Sequence, residues 1–173
     1  MYDHDYYAYA FYEASNENVL DNYYSFVELC GLLDRVPSLV DSLLFDPNRL
    51  LSIADIILEQ QPQIVQRFFT ILVEDRQIDQ YNRIKDSLKS ILVRKKHLNI
   101  CMVEFANEYD EVMYKRFKKI IMSKLVGPVE FSVEINSKLI SGYKVFLNDK
   151  CIDMSVKGRL ESVVEKVNYG QAQ

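Results

Sequence analysis

The chain reads as an α+β protein that is mainly α: an N-terminal six-helix bundle over residues 1–96, then a small C-terminal α/β module with a β-hairpin over residues 97–173. Three observations predict this. Apolar residues recur at helical spacing up to Arg94-Lys95-Lys96-His97, and beyond it they alternate or gather in short β-branched runs. Five Gly and four Pro in 173 residues are few for a chain built on tight turns. Hydrophobic residues at 49% against 27% charged provide for a buried core.

Taken in order, Tyr7, Ala10, Phe11 and Ala14 fall at i, i+3, i+4, i+7 and predict a first helix. Leu20, Tyr23, Tyr24, Val27 and Cys30 predict a second. Pro37 opens a short third through Leu44, because Pro is tolerated in a first turn. Asp46-Pro47 has the form of an N-cap followed by Pro and predicts a fourth helix to about Glu59. Pro62 starts a fifth, with Val65, Phe68, Phe69 and Leu72 on one face. A sixth covers about Gln77 to Lys96, with Tyr81, Ile84, Leu88, Ile91 and Leu92 in register. Short connections between such helices imply antiparallel neighbours.

After His97 the pattern changes. Leu98 to Phe105 predicts a strand, and Tyr109 to Leu125 a helix with Val112, Phe117, Ile120, Ile121 and Leu125 inward. Gly127-Pro128 stops it. Val129, Phe131, Val133 and Ile135 alternate with Glu130, Ser132 and Glu134, which predicts a half-buried strand. Gly142 to Leu147, a turn at Asn148-Asp149-Lys150 and a return from Cys151-Ile152 predict a hairpin. A last helix is expected from about Val156 to Val167, its stripe Val156, Leu160, Val163, Val164 and Val167. Gly158 sits early in that helix at a cost of roughly 1 kcal/mol against Ala, so a close backbone approach should compensate.

Composition excludes several functions. A net charge of −4 argues against nucleic acid as the main partner. Residues 1–60 hold eleven Asp/Glu against two Lys/Arg, and residues 61–173 fourteen against nineteen, so a basic or amphipathic partner suits the leading part. Cys30, Cys101 and Cys151 are too widely spaced for a C-x-x-C pair and are expected to be reduced, buried thiols. No run approaches the ~18 apolar residues of a membrane span. No Arg or Lys precedes Arg35, which argues against a secretory signal or transit peptide on the chain as given.

Catalytic chemistry finds no foothold. His4 and His97 are the only histidines, and neither has the partners that a metal or a general base would need. No phosphate-cradling glycine loop and no G-x-S-x-G occur, and the carboxylates scatter over polar faces. No cofactor is expected. Arg94-Lys95-Lys96 reads as charge complementing the end of the sixth helix, with a phosphate or acidic-protein contact as the other reading. Tyr2, Tyr6, Tyr7, Tyr9, Phe11 and Tyr12 put aromatics on more than one side of the first helix. That is either core packing plus surface Tyr, or the wall of a groove that receives a partner's amphipathic helix, with Phe68 and Phe69 supplying its other wall.

The run from Gly142 through Asp149, Ile152-Asp153-Met154-Ser155 and Gly158-Arg159-Leu160 resembles the C-terminal signature of the delta subunit of F-type ATP synthase, the oligomycin-sensitivity-conferring protein family. Tyr7-Ala8-Tyr9-Ala10-Phe11-Tyr12 resembles the family's opening. Met154 and Arg76 stand where the family often has Gly, and Lys157 where it has Arg. The resemblance implies a non-catalytic stator subunit in the peripheral stalk. It would link the alpha subunits of the catalytic head to the b subunit, at the cytoplasmic face of a bacterial inner membrane, in support of proton-driven ATP synthesis. It implies that the helical unit binds the N-terminal helices of alpha through Tyr7, Ala10, Phe11, Ala14, Phe68, Phe69 and Leu72, and that the C-terminal unit binds the end of b. The alternatives are an unrelated helical adaptor that binds a peptide helix, and a small enzyme using a carboxylate pair.

Overall fold

The computed structural model describes residues 3–45, 58–106, 108–139 and 141–155. The chain divides into two compact units, Met1–Lys95 and Lys96–Gln173.

The first unit contains five described α-helices: α1 Asp3–Ser15, α2 Val19–Arg35, α3 Pro37–Phe45, α4 Gln63–Glu74 and α5 Tyr81–Arg94. The helix expected between Asp46 and Glu59 falls on residues 46–57, outside the described residues. At the centre three rings meet: Phe11 lies 4.7 Å from Phe68 and 5.6 Å from Phe26, and Phe26 lies 5.4 Å from Phe68. Such off-parallel pairs add to the area that the rings bury. Val65, Phe69, Leu72, Ile84, Leu88 and Leu92 complete the core of α4 and α5 at the helical spacing read from the sequence.

Two helices are rotated from their predicted faces. α1 buries Ala8, Phe11 and Ser15, leaving Ala10 and Ala14 exposed and Tyr7 half-buried. α2 buries Val19, Asn22, Tyr23, Phe26, Leu29, Cys30 and Leu33, while Tyr24 is exposed and Leu20 and Val27 are half-buried. Both helices carry apolar groups most of the way round, so periodicity left the phase loose. The Phe11–Phe26–Phe68 contact fixes it.

The second unit is a four-stranded sheet with one described helix. In chain order these are β1 Asn99–Phe105, α6 Glu111–Lys124, β2 Val129–Ile135, β3 Tyr143–Leu147 and β4 Lys150–Asp153. The strand order is β2-β1-β3-β4. β1 and β2 are parallel, joined through α6, and β3 and β4 form an antiparallel hairpin beside β1. The Asp110 side chain caps α6 by accepting from the Met113 amide at 2.9 Å. Cys101, Val103, Phe105 and Val145 form the core, with Met113, Tyr114, Phe117 and Ile121 packed on it. Val112 and Ile120, expected inward, are exposed instead. Tyr114 took their place because its ring reaches Phe131 on β2. Cys151 is also a correction: it is exposed on β4, whereas Cys30 and Cys101 are buried.

Candidate docking surface and signature hairpin

α1 and α4 run side by side in opposite directions. The contact of Phe11 with Phe68 sets them together, and the Tyr7 hydroxyl donates to Asp75 at 2.7 Å at one end. That hydrogen bond, then burial, pushes the Tyr7 phenol up to about 12, so it stays a donor at any ordinary pH. The other end opens into a cavity of ≈ 660 Å³ lined by Ala14, Ser15, Asn22, Ile64 and Arg67 among others. The Ser15 hydroxyl is buried there without a hydrogen-bond partner among the described residues.

Along these helices Ala10 and Ala14 of α1 and Arg67 and Ile71 of α4 face water, and Tyr7 and Ile64 are half-buried. The two alanines are exposed, and Ile71 is 44% exposed. Small residues on one wall and an apolar residue on the other let a third helix approach closely. Of the seven residues singled out from the sequence, Tyr7, Ala10 and Ala14 lie on this surface. Phe11, Phe68, Phe69 and Leu72 are buried. Both phenylalanines of the pair are buried in the core, and the Phe68 ring packs against Phe11 and Phe26. Ile64 and Ile71 were missed. Their signal was present, since Ile71 falls outside the stripe made by Val65, Phe68, Phe69 and Leu72.

The signature residues of the second unit form a structural knot. Gly142 adopts φ +91°, and a Cβ there would lie 2.7 Å from the Met154 carbonyl oxygen and 2.9 Å from Ser155 Cα. The Met154 amide donates to the Tyr143 carbonyl at 3.0 Å, and the Ala106 amide to the Gly142 carbonyl at 3.1 Å. Asp153 accepts from the Ser155 amide at 2.9 Å and lies 3.0 Å from the Lys144 ammonium. The Ser155 hydroxyl, then its amide, and Lys144 hold the Asp153 carboxyl down at about 2. Asp149 stands apart on the exposed hairpin turn, and Ile152 is exposed on β4. At that turn Asn148, φ +50°, clasps β1: its side chain accepts from the Ile100 amide at 2.9 Å and donates to Asn99 at 3.0 Å. Gly158, Arg159 and Leu160, and the helix expected around them, lie outside the described residues.

Among the described residues no cluster of three His, Cys, Asp or Glu is placed to hold a metal ion. Among them, too, no helix is long and apolar enough to cross a membrane.

Comparison with known proteins places this fold. Residues 4–167 match the family model described as ATP synthase delta (OSCP) subunit. The delta subunit of Natranaerobius thermophilus is 23% identical over 66% of this chain, and the aligned stretch covers 64% of that protein. That of Rickettsia massiliae is 28% identical over 59% of this chain and 55% of its own length. That of Fervidobacterium nodosum is 25% identical over 93% of this chain and 92% of its own. A chain in the cryo-EM structure of the Toxoplasma gondii mitochondrial ATP synthase hexamer has the same fold, with a TM-score of 0.70 at 14% identity over 96% of this chain and 98% of that one. With the match running through both compact units, the chain belongs to the ATP synthase delta (OSCP) subunit family.

Proposed function

We propose that this protein is a non-catalytic peripheral-stalk subunit of an ATP synthase. It ties the alpha subunits of the catalytic head to the b subunit so that the head does not turn with the rotor. The observation that carries the reading is the family match over residues 4–167. The exposed Ala10, Ala14 and Ile71, with half-buried Tyr7, supply a place for the N-terminal helix of an alpha subunit to dock. Family membership supports this reading over an unrelated adaptor or a small enzyme. In the cell the protein sits peripherally at the cytoplasmic face of a bacterial inner membrane, held there by the complex.

The test is calorimetric titration of the full chain with the N-terminal peptide of the cognate alpha subunit. Ala10→Asp and Ile71→Asp are expected to weaken binding by tenfold or more, because an unpaired charge in a dry interface costs about 1–3 kcal/mol or more. Both positions are exposed in the free chain, so the melting temperature should stay within a few degrees. Unchanged affinity in both variants moves the site off the α1/α4 surface. Failure of the wild type to bind at all removes the functional reading.

A further inference from the structure

The ≈ 660 Å³ cavity at one end of the α1/α4 pair has a lining that the packing of the helices does not account for. Two of its polar side chains are more than nine-tenths buried, Ser15 at 5% and Asn22 at 7% exposed. The Ser15 hydroxyl has no hydrogen-bond partner among the described residues. The Asn22 carboxamide bonds to none of them either, and what exposure it keeps is toward the cavity. Folded chains leave few buried polar groups unpaired, so two on one cavity point to a partner from outside the chain.

α4 begins on the same cavity. Its N-cap, Pro62, brings no capping side chain, and the Pro62 carbonyl accepts from the Val65 amide at 2.9 Å and the Gln66 amide at 3.0 Å. The Gln63 and Ile64 amides stand ahead of these and have no acceptor within the helix. Both residues line the cavity. Arg67, one turn further along, adds a guanidinium that meets no carboxylate among the described residues. The amides and the guanidinium can only donate, and they sit at the positive end of the helix dipole.

We propose that this cavity binds a phosphate-class oxyanion, either free phosphate or the terminal phosphate of a small metabolite. Its oxygens accept from the Gln63 and Ile64 amides, from Arg67 and from Asn22, with the Ser15 hydroxyl buried in the wall behind. The volume exceeds that of a bare ion and leaves room for a small organic body against Ala14, Pro62 and Ile64. A divalent cation fits poorly. Glu17 is the one carboxylate on the lining; it is exposed, and no acidic cluster stands beside it among the described residues.

The experiment titrates the full chain, labelled with nitrogen-15, with inorganic phosphate, against chloride at matched ionic strength. Saturable amide shifts are expected at Asn22, Gln63 and Ile64 with a Kd on the order of 1 mM, together with a rise in Tm that chloride does not produce. Arg67→Gln should weaken binding about fivefold or more. Gln63→Pro should weaken it as well, by deleting one amide donor. Proline suits a first helical position, and Pro62 at ψ 145° already has the extended backbone that a following proline requires. Gln63→Ala keeps the amide and should bind like the wild type. Glu17→Gln should bind about twofold more tightly, since it removes a repelling charge from an exposed position. Ser15→Ala should melt no lower than the wild type without the ion, because it removes an unpaired hydroxyl, yet gain less from phosphate. Tighter binding of glycerol 3-phosphate than of phosphate assigns the site to a phosphorylated metabolite; equal or weaker binding assigns it to the free ion. Absence of saturable shifts at these residues overturns the proposal. So does an Arg67→Gln variant that binds phosphate as the wild type does, or a Glu17→Gln variant that binds it more weakly. Either negative result leaves the stalk reading standing, because no partner subunit enters the measurement.

Discussion

At Gly142 two demands coincide: a backbone angle that side chains rarely adopt, and a neighbour that leaves no room for a Cβ. Gly142→Ala is expected to destabilise the second unit by about 2–4 kcal/mol, combining left-handed strain with displacement of the Met154–Ser155 backbone. Urea unfolding of the variant measures it; a change under about 0.5 kcal/mol would mean that the strand ends move apart freely. Arg76 shows the opposite solution. It takes φ +56° at the end of α4, where the Gln77 amide donates to Leu72 and the Arg76 amide to Val73, the bonding of a Schellman cap. A missing glycine there altered the residue and left the turn intact. Asp153 supplies a pH dependence. Its folded-state pKa lies below the ordinary carboxylate value, so its stabilisation is complete above about pH 4 and drains away as the pH falls toward about 2. Asp153→Asn should remove that part of the acid transition, read as a smaller loss of stability on going from pH 5 to about pH 2.5.

Among the elements, strands and turns were more legible than helix faces. Strict alternation from Val129 to Ile135 leaves one register for a strand, and Asn148-Asp149 between two apolar runs leaves one place for a hairpin turn. The pairing of β1 with β2 was not read from the sequence; the structure shows it to be parallel, with α6 as the crossover. The positions of α4 and α5 were equally plain, because each carries a single clean stripe. α1, α2 and α6 were not, because tyrosines, alanines and long cationic stems pack or face water with little difference in cost. The docking surface inherited that ambiguity. Its alanines and Tyr7 were picked out, while the phenylalanines chosen beside them proved to be the core that holds the two helices together. A burial term explains why: Phe68→Ala would remove a fully packed ring, whereas Ala10 has nothing to lose. No periodicity argument distinguishes a residue that binds a partner from one that binds its own fold. Both are apolar, and only the third dimension says which is already satisfied.

The chain comprises two compact units, each with its own core. We propose that residues 1–96 fold alone, since their core of Phe11, Phe26, Phe68, Leu72, Ile84 and Leu88 is complete without the sheet. The expressed fragment should melt cooperatively, with far-ultraviolet and near-ultraviolet signals coincident; a broad, probe-dependent loss of signal would place the boundary elsewhere. The three cysteines give each unit its own clock. Cys151 lies open and is expected to react with a thiol reagent in the native chain, whereas burial pushes Cys30 up to about 12 and shields Cys101 within the strand core. Cys30 belongs to the first unit and Cys101 to the second. Each becomes reactive only when its own unit opens, so the labelling rates of two native side chains report separately how often each half of the link comes apart.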